Sequence, residues 1–420
     1  MLKALLSNIR GNIATITAIA LVPIAGAVAM AAELTMVSAE RSHLQSIVDS
    51  AALAGATEMA IPSRDAVGIQ AVAVAFASDS YSRSGSKTPV TFAANVNRYE
   101  RTITVSAAGA RQPMIGIPGI GATNLSVSAT AESLQNIPLC VLQTNYQPPA
   151  KTAKFLARVG VGAVTGFDLF DQAKIRAGGC LIHSNERIVA NDRAEIEASR
   201  VQAVTDATGQ INPTANVGAL EIADPFTALN LNPKSMAGCQ PLKRITIGAG
   251  QTYVMPPGVH CEKIDVLSNG ILQLQPGEHY FFGNLDFRDN ASLLGDDVVM
   301  IFGPLYKFNF GGNTRVELSA RESGPLAGFL IATHPTNYQS FTISSNNVRQ
   351  LLGTIYIPRA ELIISSTGSV AQESAWSVIV ARAITMTNNP ILVINSSYVN
   401  SGVPVPDGVG PTEATPRLKQ

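Results

Sequence analysis

The spacing of apolar positions along this chain changes twice. From Gly11 to Ala32 there is no charged residue and the run is strongly apolar, matching the ~20 residues a helix needs to cross a bilayer. Leu34, Val37, Arg41, Leu44, Val48 and Ala51 continue at steps of three and four, with no Gly or Pro before Gly55, so the helical pattern outlasts the apolar run. Residues 64–83 predict a second amphipathic helix with Val67, Ala71, Val74 and Tyr81 on one side, ended by Ser84-Gly85-Ser86. Period-two segments follow at Val90 to Val96, Thr102 to Ala107 and Leu125 to Thr130, read as strands. A helix and a short sheet make a modest α+β module.

The second change is to a long repeat. An apolar, any, apolar, any, any, Asn, any, any, apolar pattern starts at Ile264, Leu285 and Phe308, placing Asn269, Asn290 and Asn313 in register. It returns at Phe341 with Asn346, where Arg349 spoils the last position, at Leu362 with Thr367 in place of Asn, and at Ile384 with Asn389. Starts recur about every 22 residues, with one longer interval before Phe341. Such a period signals a solenoid, and strand-like content selects a parallel β-helix. Coils stacked ~4.8 Å apart turn each recurring position into a column, in which an Asn ladder can hydrogen-bond from coil to coil. Pro257-Gly258-Val259-His260-Cys261 matches Pro276-Gly277-Glu278-His279-Tyr280, marking corners. Less regular coils are expected around Ala173–Ile182, Arg193–Val201 and Lys243–Tyr253.

The four cysteines fit this picture. Cys239 and Cys261 are separated by one such coil, which predicts a bridge between stacked positions. Cys140 and Cys180 pair by elimination, clamping the linker near Pro138 onto the first coils. Two disulfides place the domain in an oxidising compartment, with free buried thiols as the cytosolic alternative.

Charge settles orientation more than chemistry. Charged residues are 14% of the chain, against ~25% in average soluble domains, and acids and bases balance at 30 each, so nothing draws it to nucleic acid. Lys3 and Arg10 precede the apolar run while Glu33 and Glu40 follow it, which puts the amino terminus in the cytoplasm and the bulk outside. Ala29-Met30-Ala31 offers the rival reading of a cleaved signal peptide.

One stretch is specific. Arg10-Gly11-Asn12 ahead of the apolar run, and Ser42-His43-Leu44-Gln45-Ser46-Ile47-Val48-Asp49-Ser50-Ala51-Ala52-Leu53-Ala54-Gly55-Ala56 after it, resemble the amino-terminal module of TadE/TadG-like proteins of Flp (Tad) pilus assembly. The resemblance implies an inner-membrane anchor and a role in building or tethering a pilus. Pilin-type members carry Glu five residues after the Gly; Ile16 stands there, so prepilin cleavage is not expected. Asp79-Ser80-Tyr81-Ser82 lacks the Asp-x-Ser-x-Ser spacing of the metal-binding von Willebrand A domain found in some members. The carboxy-terminal half resembles the pectin-lyase-like right-handed β-helix superfamily in architecture.

That superfamily includes polysaccharide enzymes, so acids in register matter. Gly295-Asp296-Asp297 resembles a polygalacturonase motif whose partner motifs are missing, and reads as a solvated turn. Asp265 and Asp286 share a column with Asn309, an expected exposed, hydrated pair unless a cation or sugar bridges them. His260 and His279 read as stacked corner residues without the further ligands a metal needs. Arg288 beside Asp286 and Asp289 is the nearest approach to an acid–base cluster, and Trp376 reads as core.

The sequence therefore predicts a mainly β protein: residues 1–32 a cytoplasmic tip and transmembrane helix, 33–136 a TadG-like α+β stalk, 137–400 a parallel β-helix, and 401–420 a disordered Pro- and Gly-rich tail. Its expected role is structural, in Flp/Tad pilus or related envelope assembly in the inner membrane and periplasm. It is not expected to be an enzyme, and no catalytic residue, metal or cofactor is assigned. The alternative is a secreted or surface adhesin binding a glycan, and behind it a polysaccharide lyase or hydrolase.

Overall fold

A computed structural model describes residues 12–59, 65–86, 88–97, 102–113, 121–132, 137–147, 166–229, 231, 239, 243–399 and 401–411. The chain divides into two units, residues 1–60 with 65–134, and 61–64 with 135–420. Arg10-Gly11 of the amino-terminal motif and residues 412–420 lie outside the described residues.

The first unit is built on α1 (Asn12–Met59), a single helix of 48 residues. Beside it lie α2 (Ala66–Arg83) and an antiparallel sheet of β1 (Val90–Asn97), β2 (Thr102–Arg111) and β3 (Thr123–Glu132), in that order. Leu44, Val48, Ala51, Ala52 and Ala56 of α1 are buried against Ile103, Val105 and Leu125 of the sheet. The helix does not stop at Gly55. A Cβ there would lie 2.4 Å from Ile103 Cδ1 and 3.2 Å from Ala73 Cβ, so glycine allows the close crossing. The buried face of α2 is Ile69, Ala73, Ala77 and Tyr81, so of the expected stripe Tyr81 is buried while Val67 is 69% exposed. Ala73 and Ala77 carry too little hydrophobicity to stand out in a pattern, yet their small side chains suit close packing. Asp65 caps α2, its Oδ1 accepting from Gly68 N at 2.7 Å.

The second unit is a parallel β solenoid with three strands at each full level. In chain order its strands begin with β4 (Leu139–Gln143), β5 (Gly166–Leu169), β6 (Lys174–Ser184), β7 (Arg187–Ala203), β8 (Asp206–Asn212) and β9 (Asn216–Val217). Then come β10 (Arg244–Ile247), β11 (Thr252–Met255), β12 (Gly258–His260), β13 (Lys263–Val266), β14 (Ile271–Leu274) and β15 (Gly277–Phe281). The remainder are β16 (Leu285–Phe287), β17 (Ser292–Gly295), β18 (Val298–Phe302), β19 (Phe308–Phe310), β20 (Arg315–Ser319), β21 (Phe329–Thr333), β22 (Ser340–Ile343), β23 (Val348–Ile364), β24 (Ser369–Val370), β25 (Ser377–Met386) and β26 (Ile391–Val393). The repeat read from the sequence is the register of the sheet. Ile264 pairs with Leu285, Leu285 with Phe308, Phe341 with Leu362 and Leu362 with Ile384, all side chains turned into the core. Arg349 does not spoil its column, because a bulge lets Val348 pair with Val316 instead.

The coils are not stacked in chain order. Ile384 and Leu392, near the end of the series, pair with Phe167 and Ile175, near its beginning. The solenoid therefore starts at β4 in mid-stack, winds outward to β9, and resumes at β10 at the opposite end. From there it climbs back until β25 and β26 meet β4, β5 and β6. Described residues of the connecting strap are fastened on the way. Asn185 accepts from Ile222 N and donates to Ile222 O, both at 2.8 Å, Tyr356 Oη donates to Asp224 Oδ2 at 2.9 Å, and Phe226 packs edge-on to Phe329 and Tyr356.

The expected tail is ordered over 401–411. Val409 is fully buried and its carbonyl accepts from Leu139 N at 2.8 Å, while Val403 is also buried. An unpaired first strand residue and an apolar crevice recruit this segment despite its Pro and Gly content.

Candidate functional site

Two halves of α1 meet different surroundings. At 1.5 Å per residue the helix is about 72 Å long, more than twice the ~30 Å hydrocarbon thickness of a bilayer. From Ile19 to Leu34 it turns apolar side chains outward: Ile19 and Val22 are about three-quarters exposed, and Leu21, Ile24, Val28 and Leu34 more than half. Its second half buries one face in the first unit. A helix that is apolar all round without protein around it suits lipid, and an amphipathic one suits a folded surface.

Polar contacts mark the change. Glu33 is buried, its Oε1 2.9 Å from Arg111 Nη1, with side chains 8% and 10% exposed. One turn or two later, Glu40 accepts from Ser86 Oγ at 2.7 Å and Tyr81 Oη at 3.2 Å. Burial raises the pKa of the Tyr81 hydroxyl, keeping it a donor. These pairs fasten α1 to the rest of the first unit where its apolar stretch ends.

In the solenoid, both disulfides are present. Cys140 and Cys180 lie on the neighbouring strands β4 and β6, Cα atoms 5.7 Å apart, where a register shift separates Leu139 from Val141. The bond is an inter-coil staple inside the core, not a clamp on a linker. Cys239 and Cys261 are also bonded, with Cα atoms 5.3 Å apart, but not as stacked strand positions. Arg244 pairs with Lys263 here, so this level is shorter than the cysteine separation, which is not its period. That bond ties the far end of the strap to the first level. Replacing Cys140 and Cys180 together by Ala is expected to cost roughly 2–4 kcal/mol, the usual value of a native bridge, read as a lower midpoint in equilibrium urea unfolding.

The asparagine column does two things. Asn313 Nδ2 donates to Asn290 Oδ1 at 3.2 Å, and Asn346 bonds Thr367 twice, through Oγ1 at 2.8 Å and N at 2.7 Å. Asn269 and Asn389 are instead in left-handed backbone, φ 63° and 65°, beside Ser268 and Asn388 in the same conformation. Asn tolerates that region better than most side chains. At the level of Asn313 the left-handed residue is Gly312, where a Cβ would come within 2.5 Å of Asp289 N.

The acids are committed to ion pairs. Asp265, expected to be exposed, is buried and faces Arg244 Nε at 2.9 Å, Lys263 Nζ at 3.4 Å and Arg288 Nη2 at 3.7 Å. Lys263 reaches Asp286 at 2.8 Å, and that bond raises the lysine pKa. Cations contributed by adjacent levels remove the repulsion that had favoured hydration. Asp297 pairs with Arg321 and accepts from Glu322 N at 2.7 Å, and Asp296 accepts from Ser319 Oγ at 3.1 Å. Both hold a turn. Trp376 is fully buried, its Nε1 donating to Ser401 Oγ at 3.1 Å.

His260 and His279 stack with ring centroids 5.2 Å apart, although the backbone pairs Gly258 with His279 and not His260 with His279. His279 Nε2 donates to Gln275 O at 2.8 Å, so its Nδ1 accepts from His260 Nε2 at 3.0 Å. Burial lowers both pKa values, that of His260 to about 4, with the neighbouring ring adding to the effect. A neutral pair is thus favoured by the fold. The stability it contributes is complete above pH 6.5, the ordinary value, and is lost as pH falls from there through about 4. Urea midpoints measured from pH 7 to pH 4 are expected to fall in that window, and to fall less in His260→Gln.

No curated protein and no solved structure matches the chain. Residues 11–58 match the Tad family model, described as "Putative Flp pilus-assembly TadE/G-like", and the match coincides with α1 across both its exposed and its packed half. The amino-terminal segment of this chain is thus similar to TadE/G-like proteins over residues 11–58, and a parallel β solenoid follows it in the chain.

Proposed function

We propose that this protein is a membrane-anchored, extracytoplasmic structural component of Flp pilus assembly. Its amino terminus lies in the cytoplasm, α1 crosses the inner membrane, and both folded units stand in the periplasm. The carrying observation is the TadE/G-like match over a helix that is exposed and apolar from Ile19 to Leu34 and packed in its second half. Lys3 and Arg10 on one side of the apolar run, Glu33 and Glu40 on the other, support the orientation, and two disulfides support an oxidising compartment. The solenoid acts as a scaffold and not as a catalyst: Asp265, Asp286 and Asp297 are bound to cations, and Asp296 accepts from Ser319 of the next coil.

Counting Flp pili by electron microscopy in cells lacking the gene tests this. Loss of pili, restored by the full chain, is the expected result. Wild-type pilus numbers without the protein would overturn the role.

A further inference from the structure

The two ends of the solenoid are cut from the same profile. At one end β8 and β9 pair in register only with β7 of the level beneath, and at the other β10, β11 and β12 pair only with β13, β14 and β15, among the described residues. Each end therefore presents open edges of parallel strands, the arrangement that invites another strand to add. Because every strand runs in the same sense, only a head-to-tail stack continues the parallel pairing; a head-to-head stack would set the edges antiparallel.

On two of the three faces the side chains at the two ends fit such a stack. The inward column of the second face runs Tyr253, Leu272, Leu293, Val316 at one end and Ile175, Ile196, Ile211 at the other. Tyr253 is the exposed end of the first run, at 38%, and Ile211 terminates the second. The strands carrying Ile196 and Ile211 also border a concavity of about 360 Å³, lined by Glu195, Glu197, Gln210 and Asn212 as well. On the first face the end residues are Asp206, Ala207 and Thr208 against Arg244, Ile245 and Thr246. Adding one copy to the next sets Asp206 between Arg187 of the coil beneath and Arg244 of the next copy. It also sets Ala207 on Ile245 and Thr208 on Thr246. Arg244 is engaged with Asp265 at 2.9 Å but leaves 62% of its side chain exposed, so it can face both acids.

We propose that the solenoid of one copy stacks head-to-tail on that of a second copy, through β8–β9 of one and β10–β12 of the other, with Tyr253 seated over Ile211 and Arg244 beside Asp206. The interface is heterologous, so each added copy leaves the same two ends free and the stack can grow.

Single variants Thr208→Cys and Thr246→Cys, both at exposed positions, test the register in the full chain held in detergent micelles. Stacked positions on adjacent parallel strands lie within disulfide range. After mild oxidation a covalent dimer is expected on non-reducing gels from the mixture of the two variants. It is not expected from either variant alone, nor from Thr246→Cys mixed with Thr367→Cys in mid-solenoid. Equal dimer from the Thr367→Cys mixture, dimer from Thr208→Cys alone, or none in any lane would overturn the proposal. By sedimentation velocity Asp206→Arg should weaken self-association by roughly tenfold, and adding Arg244→Asp should restore it. A reversal that changes nothing would also contradict the proposed contact.

Discussion

Cells making the Val22→Arg/Ile24→Arg protein are expected to lose it from the membrane fraction. Both residues sit near the middle of the apolar run and are exposed on α1. Ile13, Ile16, Ile19, Leu21, Val22, Ile24 and Val28 are its strongly apolar members, and at ~0.3–0.6 kcal/mol each they favour insertion by about 2–4 kcal/mol. Two arginines near the centre cost about 5–7 kcal/mol on the same scale and remove two of the favourable terms. The balance changes sign, so the effect should be all or none. Val22→Leu/Ile24→Leu should leave the protein membrane-bound. Carbonate extraction followed by immunoblotting reads the result, and retention of the arginine variant would mean that α1 does not enter lipid.

Phe302→Ala is expected to be among the most damaging single changes in the solenoid. The ring lies in the core between levels, with centroids 5.3 Å from Phe281, 5.8 Å from Phe308 and 5.3 Å from Phe341. Truncation removes these contacts and leaves a cavity that strands pinned above and below by backbone hydrogen bonds cannot close. A cost of about 3–5 kcal/mol follows. Each level contacts chiefly its neighbours, so unfolding should also lose cooperativity near β18. Equilibrium denaturation followed by far-ultraviolet circular dichroism gives the midpoint and shows whether a second transition appears. Tyr253→Ala, at an exposed end of the stack, should cost much less.

The sequence carried part of this structure. The column through Ile264, Leu285, Phe308, Phe341, Leu362 and Ile384 was readable because each inward position must be apolar and the strands tolerate no slip. The bulge that substitutes Val348 for Arg349 was not, since an extra residue leaves no mark of its own. Nor was the order of the coils. Ile384 on Phe167 is an apolar pair like any other, and nothing local distinguishes a neighbour in sequence from one at the other end of the series. The cysteine pairings came out as expected while their geometry did not, because a spacing close to the average period hid the shorter level at β10. Phe226 and Asp224 of the strap gave no periodic signal, as they belong to no strand. At the site itself, the long apolar helix and the TadE/G-like stretch over it were legible. Arg111 as the partner of Glu33 was not, for the two meet only once β2 folds back along α1.

An uncleaved α1 anchor with the folded units outside the cytoplasm is central to the proposed role. Mass mapping of the amino terminus in carbonate-resistant inner membranes, from cells making a carboxy-terminally tagged chain, tests it directly. An intact start at Met1, with the tag digested by protease in spheroplasts but not in intact cells, is the predicted result. A mature start after Ala31 with the protein in the soluble or released fraction would contradict it, and the solenoid would then be a secreted body and not a tethered one.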